Sequence, residues 1–255
     1  MAIIDKPSDY FNTVLYTGNG ASSRAISVGF QSDWVWNKPR TNTNDYQLVD
    51  SVRGGGKVIS SNLADAEYTA GNTILSFGSD GFTCGDGASV NANGVTYASW
   101  NWKAGTSFTN DASGTGIGSI DSAGSVNTDA GFSIISYTGT ASAATVAHGL
   151  GAVPKMIIVK TRGSSGDWSV YHSSLGNTKN LKLNTTAAEQ TSASYWNNTT
   201  PTSSVFTIND EGNVNGSSVA MIAYCFAEKQ GYSKFGNYAP NGNADGNFIY
   251  TGMSP

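Results

Sequence analysis

An internal repeat constrains this chain more than any other feature. At an offset of 122 positions, residues 38–69 align with residues 160–191 without a gap, and ten of the 32 pairs are identical. Ordinary composition would give roughly two identities over that length. A match upstream extends the repeat, since FNTVLYTG from Phe11 corresponds to FSIISYTG from Phe132. The chain is therefore expected to contain two copies of one structural unit.

The repeat predicts four segments. Residues 1–105 are expected to form a first β-sandwich repeat and residues 128–231 a second, each large enough for a core of its own. Residues 106–127 are rich in Gly and Ser and are interpreted as a linker with room for one added edge strand. Residues 232–255 resemble the opening of a third, truncated repeat. Whether the chain continues beyond Pro255 is left open.

The residue types favour β-structure. Charged residues make up only 13% of the chain, and 31 glycines are accompanied by many Ser, Thr and Asn residues, whereas the solvent faces of helices usually carry Glu and Lys. Short runs of β-branched and aromatic residues recur about every ten residues and are separated by turn signals such as Asn19-Gly20. The predicted fold class is all-β, with two tandem antiparallel β-sandwich units of jelly-roll type plus the start of a third.

Two apolar runs in the second unit lack the alternation of a half-buried strand. The sequences MIIV from Met156 and AMIAYCF from Ala220 are expected to form strands covered on both faces. Cys84 and Cys225 occupy non-equivalent places in the two units. We therefore expect free, packed thiols rather than a disulfide framework.

One polar segment occurs twice with related sequences, as SSNLADAEYT at 60–69 and as KLNTTAAEQT at 182–191. We expect a helical turn opened by a Thr cap, with Glu67 and Glu189 returning to a backbone N–H or to a repeated lysine. The interpretation is a structural plug at the end of each sandwich. A repeated ligand or metal site is the alternative, although one carboxylate per unit makes a poor metal cage.

Several function classes are disfavoured. A net charge of −4 without a Lys/Arg cluster argues against nucleic-acid binding, and no apolar run approaches the 18 residues of a membrane span. Of the two available imidazoles, His148 is expected to hydrogen-bond a local carbonyl, and His172 aligns with Asp50, which indicates a polar position without constant chemistry. No catalytic residue, cofactor or metal ligand is predicted, and the chain is not expected to be an enzyme.

Tryptophan supplies the candidate contact residue. Trp168 aligns with Tyr46, and four further tryptophans align with apolar or aromatic residues of the other unit, which indicates packing. Trp196, in the loop SYWNNTTPTSS, has no counterpart in the first unit and is the predicted contact for a sugar ring or a protein partner. The four aligned pairs are Trp34/Met156, Trp36/Ile158, Trp100/Tyr224 and Trp102/Phe226.

Long phrases of the chain resemble a known group of virus proteins. KPSDYFNTVLYTGNG, HGLGAVPKMIIVK, IAYCFAEKQGYSKFGNY and GNADGNFIYTGMSP are similar to the tandem-repeat virion proteins of tailed, often marine, bacteriophages, which are described as tail fibre or structural proteins with a domain of uncharacterised function. The resemblance runs from Lys6 to the last residue. It implies a place in the phage particle and offers no catalytic residues. The strand WNKP departs from the usual Ile-Lys pattern, so Pro39 is expected to end that strand early.

The resemblance and the polar surface together predict a non-enzymatic virion structural protein, most simply a tail fibre or appendage component with an adhesive or spacer role. Such a protein would contact other virion proteins, form a homo-oligomer, and be released by lysis after assembly in the host cytoplasm, which agrees with an N-terminal stretch that lacks a secretory pattern. The alternatives are a capsid-surface decoration protein, a lectin-like module that binds a host glycan, and a glycan-degrading enzyme.

Overall fold

The computed structural model describes residues 3–253. The ends of the predicted first and third repeats, residues 1–2 and 254–255, lie outside the described residues. Strands account for 37% of the chain and helices for 6%, and the strands form several antiparallel sheets. This confirms the predicted all-β fold class of sandwich type.

The first repeat begins with a single 3-10 turn, Pro7–Asp9, and continues with short strands joined by tight turns. Its strands are β1 (Phe11–Thr17), β2 (Arg24–Ser27), β3 (Trp34–Pro39), β4 (Gln47–Asp50), β5 (Lys57–Val58), β6 (Tyr68–Thr69), β7 (Ile74–Gly78), β8 (Gly81–Cys84) and β9 (Thr96–Trp102).

The second repeat has the same order of strands except that it lacks an equivalent of β7, and a helical turn lies at that place. Its elements are β12 (Phe132–Thr138), β13 (Ala144–Ala147), β14 (Met156–Thr161), β15 (Ser169–His172), β16 (Lys179–Lys182), β17 (Gln190–Thr191), α2 (Ala193–Trp196), β18 (Val205–Ile208), α3 (Gly212–Asn215) and β19 (Ala220–Phe226).

The segment 106–127 is not a linker, and this prediction was wrong. It forms β10 (Thr106–Asn110), a helical turn α1 (Ala112–Thr115) and β11 (Ser122–Asn127), and β11 pairs antiparallel with β12. Small residues are needed there, because a Cβ on Gly124 would lie 2.0 Å from the carbonyl oxygen of Ile134. The Gly- and Ser-rich composition therefore marks close strand packing at this edge.

The two repeats share one topology. The larger sheet of the first repeat has the order β1-β9-β3-β4, and the second repeat contains the matching order β12-β19-β14-β15, which continues into β16 and β17. The smaller sheets match as well, with β2 beside β8 in the first repeat and β13 beside β18 in the second. β3 ends at Pro39, the position equivalent to the end of β14 at Thr161, so Pro39 does not shorten it.

The sheets stack as four layers around three cores. Each smaller sheet covers the outer face of its own larger sheet, and the two larger sheets face each other across a middle core that both repeats supply. β19 lies between β12 and β14 with both faces buried, as its unbroken apolar run predicts. Representative buried residues are Val35 and Phe82 in the first core, Trp34 and Ile222 in the middle core, and Ile157 and Phe206 in the last.

Cys84 and Cys225 are buried and free, as predicted. In the described part of the predicted third repeat, residues 232–253, the backbone forms no strand apart from an isolated bridge between Lys229 and Ser233. Several apolar side chains there are exposed, including Phe248. The described helices are all too short to serve as membrane spans.

Candidate functional site at the seam between the repeats

We call the contact between the two larger sheets the seam. Its centre is Trp34 on β3, whose ring stacks on Tyr224 of β19 with centroids 4.1 Å apart. The same ring lies 4.5 Å from Trp102 and 5.8 Å from Phe132. Aromatic pairs bury large areas and add a geometric preference of about 0.5–1.5 kcal/mol each. Residues from both repeats therefore form one continuous core at the seam.

A buried ion pair lies beside these rings. Asp50 ends β4 and accepts from the backbone N–H of Arg53 at 2.8 Å, and Arg53 Nε lies 2.5 Å from Asp50 Oδ2. Tyr224, from the other repeat, donates its hydroxyl to the same carboxylate oxygen at 2.7 Å. Burial alone would lower the pKa of Arg53, but the charge of Asp50 raises this pKa above its ordinary value. Arg53 thus stays charged inside the seam.

The first of the two echoed phrases crosses the seam. We call residues 60–67 the clasp loop. The carbonyl oxygen of Ala64 accepts from the backbone N–H of Gly166 at 2.7 Å and from Lys160 Nζ at 3.2 Å, and the carbonyl oxygen of Ser60 accepts from Trp168 Nε1 at 3.0 Å. Lys160 and Trp168 are fully buried in this contact, and burial lowers the pKa of Lys160 to about 8.

Glu67 ends the clasp loop and joins it to the ion pair. Arg162 binds this carboxylate through Nε and Nη2, both at 2.9 Å, and Arg53 Nη1 lies 3.1 Å away. Burial alone would raise the pKa of Glu67, but the hydrogen bonds from Arg162 and the charge of Arg53 hold this pKa below its ordinary value. The expected bond to a repeated lysine was wrong for Glu67, because Lys57 bonds Thr69 instead.

The second echoed phrase does not cross the seam. We call residues 182–189 the free loop. Glu189 pairs with Lys179 at 2.7 Å, as the repeated-lysine hypothesis predicts, and Lys182 pairs with Asp167 at 2.7 Å, so both contacts stay within the second repeat. The predicted helical turn was wrong for both loops, because neither has a helix among its residues. Both loops instead brace a neighbouring strand.

Each loop braces the strand beside it with one asparagine. Asn62 accepts from the backbone N–H of Tyr46 at 3.3 Å and donates to Asp45 at 2.7 Å. Asn184 accepts in the same way from the N–H of Trp168 at 3.0 Å and donates to Asp167 at 2.9 Å. Repetition of Asp and Asn in the sequence therefore reflects a structural bracket and not a metal site.

An open cleft lies where the free loop stands away from the first repeat. Its volume is about 700 Å³, and its walls are Trp36, Tyr46, Ser61, Asn62 and residues 183–186. The rings of Trp36 and Tyr46 meet at 76° with centroids 6.2 Å apart, so they form a corner. The eight side chains in the walls are neutral, and most are amides, hydroxyls or aromatic rings.

A second, apolar cavity of about 300 Å³ lies between the inner sheets and shares Trp36 with the cleft. Trp34, Trp36 and Trp102 line it together with Phe132 and Phe235. In the described part of the chain, the indole N–H groups of Trp34 and Trp36 have no hydrogen-bond partner. Buried donors of this kind are uncommon and call for an explanation.

Trp196 is not placed to act as the predicted contact residue. Its side chain is only 1% exposed and packs edge-on against Tyr171, with ring centroids 5.9 Å apart. Ser192 caps the helical turn α2, which carries Trp196 inward, and Asn197 ends the turn in a left-handed conformation. The Ser cap and the adjacent aromatic pair Tyr195-Trp196 are the sequence signals that indicate a buried turn here.

The local carbonyl partner expected for His148 was wrong, because its ring bonds a carbonyl 54 residues away. His148 is buried, with Nε2 3.2 Å from the carbonyl oxygen of Thr202 and Nδ1 accepting from the N–H of Leu150. Burial lowers the pKa of His148 to about 4. His172 accepts from the N–H of Ser174, and burial lowers its pKa as well. Neither imidazole lines the cleft or the cavity.

Among residues 3–253, no three His, Cys, Asp or Glu side chains gather closely enough to hold a metal ion. Residues 6–255 match the family described as a domain of unknown function, DUF7483. The chain belongs to this family. The DUF7483 match spans both repeats and the seam between them. No curated protein and no solved structure matches the chain.

Proposed function

We propose that this DUF7483 chain is a non-enzymatic structural protein of a bacteriophage virion, in which it forms a rigid segment of a tail fibre or a similar appendage. The observation that supports this role best is the seam. Domains in one chain move relative to each other unless their interface is large and hydrophobic. Here the repeats share a core around Trp34. The hydroxyl of Tyr224 from the second repeat also donates to the buried Asp50–Arg53 pair of the first repeat.

The clasp loop adds directional contacts to that core. Glu67 binds Arg162 with two hydrogen bonds, and Ser60 accepts from a buried indole of the other repeat. Charge-assisted, bidentate contacts fix geometry as well as distance. A spacer in an appendage has to keep its shape under load, and a seam of this kind resists bending.

The surface and the sequence resemblance agree with this role. Only 13% of the residues are charged, and the exposed positions are dominated by Ser, Thr, Asn and Gly. The resemblance to phage tail fibre and structural proteins supplies the location, the virion. In that setting the partners are other virion proteins and further copies of the chain.

Electron cryo-microscopy of purified phage particles tests the location. We expect density for the four-layer module in a tail appendage, and mass spectrometry should find the chain in separated tails. Density on the capsid lattice would instead support the decoration role. Absence of the chain from purified particles would overturn both.

Solution X-ray scattering tests the rigidity independently. We expect the purified chain to scatter as one compact body built around the seam. A profile that requires two repeats moving independently would contradict the spacer role, whatever the location of the protein in the particle.

A further inference from the structure

We propose that the open cleft at the seam is a saccharide-binding site. This role goes beyond that of a structural spacer, because it assigns a ligand to a surface that the fold does not need to leave open. The cleft is defined by Trp36, Tyr46, Ser61, Asn62 and residues 183–186.

The wall chemistry fits a sugar ring. Trp36 and Tyr46 present two apolar ring surfaces at 76° to each other, which suits a ligand that has C–H faces. Asn62, together with Asn184 and Thr186 in the facing wall, supplies amide and hydroxyl groups that both donate and accept hydrogen bonds. A polyhydroxylated ring has complementary groups of both kinds. Ligand sites commonly combine an aromatic lining with a few convergent polar groups.

The cleft is held open by contacts that the equivalent closed side lacks. On the closed side, Lys160 reaches across the seam to the carbonyl oxygen of Ala64. The counterpart of Lys160 is Lys38, which instead donates to the carbonyl oxygen of Asn44 at 2.7 Å and lies over the Tyr46 ring at 5.3 Å. Lys38 is therefore occupied within its own repeat, and the cleft is preformed.

The free loop is also occupied elsewhere. Lys182 and Lys179 pair with Asp167 and Glu189 of the same repeat, so the loop gains nothing comparable by closing on the first repeat. A preformed site loses less entropy on binding than one that must assemble.

The Trp36 side chain forms part of the cleft wall. In the described part of the chain, its indole N–H has no hydrogen-bond acceptor. Among residues 3–253, the indole N–H groups of Trp34 and Trp196 are unpartnered as well, whereas Trp168 Nε1 donates to Ser60. The contribution of Trp36 to the cleft is therefore its ring surface.

A printed array of bacterial surface saccharides tests the proposal, followed by titration of the best binder with tryptophan fluorescence as the readout. We expect a saturable response from the native chain. Tyr46→Ala removes one wall of the corner and should weaken binding by about tenfold or more, whereas Tyr46→Phe keeps the ring and should bind within a few-fold of the native chain.

Two further variants keep the test decisive if Tyr46→Ala perturbs folding. Thr186→Trp fills the cleft from the exposed free loop without touching the core and should abolish binding. Tyr68→Ala is the matched control, because Tyr68 is an exposed tyrosine of the same repeat outside the cleft, and it should bind like the native chain. Failure of the native chain to bind any saccharide on the array, or binding that survives Thr186→Trp, would overturn the proposal.

Discussion

The clasp loop and the free loop occupy equivalent places in the two repeats and share Asn, Ala and Glu at aligned positions. Nevertheless, only the clasp loop docks across the seam. In the clasp loop, Glu67 bonds Arg162 of the other repeat, whereas Glu189 of the free loop bonds Lys179 of its own repeat. The same glutamate at the end of each loop therefore makes different contacts in the two repeats.

The two loops differ in the side chain that each one faces and in the residue at their first position. The clasp loop meets Trp168, whose large ring and buried indole donor require an acceptor, and the carbonyl oxygen of Ser60 provides it. The free loop faces Tyr46 at the corresponding place and carries Lys182 where the clasp loop has Ser60. Burying Lys182 at the seam would cost more than leaving it paired with Asp167 at the partly exposed edge of its own repeat.

Duplicated repeats can therefore share a fold while the contact between them is asymmetric. One side of the seam is sealed by hydrogen bonds and ion pairs, and the other side remains a cleft of about 700 Å³. A symmetric pair would have either two clasps or two clefts. The asymmetry gives one molecule both a rigid joint and an open surface.

The largest effect is expected from breaking the ion pair on the sealed side. Arg53→Leu replaces Arg53 with the residue type of its counterpart, Leu175, and leaves Asp50 buried without its cation. We expect the free energy of unfolding to fall by about 3–5 kcal/mol, measured by urea denaturation.

Two further variants are compared with Arg53→Leu. The double variant Asp50→Leu/Arg53→Leu should regain much of the loss, because no unpaired charge remains. Lys179→Leu breaks the exposed pair of the free loop and should cost less than about 1 kcal/mol. Equal losses for Arg53→Leu and Lys179→Leu would remove the contrast between the two sides.

The next largest effect is a pH dependence of the free energy of unfolding that comes from the buried His148 of the second repeat. Burial lowers the pKa of His148 from 6.5 to about 4, so the unfolded chain binds a proton that the folded chain does not between those values. Stability should therefore fall as the pH drops from about 6.5 to 4, by up to about 3 kcal/mol. Urea unfolding of the native chain and of His148→Asn across this range checks it.

The free energy of unfolding of His148→Asn should change less with pH between 6.5 and 4. Glu67 of the clasp loop affects the stability only at lower pH, because its pKa lies below the ordinary 4.5. The stability that Glu67 contributes is present above pH 4.5 and is lost as the pH falls through the folded-state value. An identical slope for the native chain and His148→Asn between pH 6.5 and 4 would show that His148 is not the titrating group.

Much of the fold was predictable because it depends on local pattern. The unbroken run from Ala220 predicts a strand with two buried faces, and the offset of 122 predicts the matching order of strands. Segment 106–127 was misread because edge strands and linkers share small residues. There, Gly124 is required by the close approach of the backbone at Ile134, which only the paired sheet reveals.

The site was much less predictable, because its contacts join distant positions. The bond between Ser60 and Trp168 spans 108 residues, and that between Asp50 and Tyr224 spans 174. Aligned pairs show which residues repeat, but not which copy of a loop crosses the seam. Trp196 failed as a candidate for the same reason, since its lack of a counterpart reflects the turn α2, which lies where the first repeat has β7, and not exposure.

A smaller effect compares the two repeated glutamates directly. Glu67→Gln keeps the shape of the side chain and removes the charge that Arg162 and Arg53 bind, and it should cost about 1–2 kcal/mol because the carboxylate is partly exposed. Glu189→Gln should cost less than about 1 kcal/mol. A double-mutant cycle with Arg162→Leu isolates the cross-seam energy, and a coupling energy near zero would contradict the clasp.

The smallest effect is expected from lengthening the free loop. Insertion of Gly-Ser after Ala187 should change stability by no more than about 0.5 kcal/mol, because loop entropy grows slowly with length and this part of the loop is exposed. The same insertion after Asp65 separates the two anchors of the clasp loop, Ala64 and Glu67, and should cost clearly more. If both insertions are tolerated equally, the clasp loop contributes no more to the seam than the free loop does, and the rigid joint must then depend on the aromatic core alone.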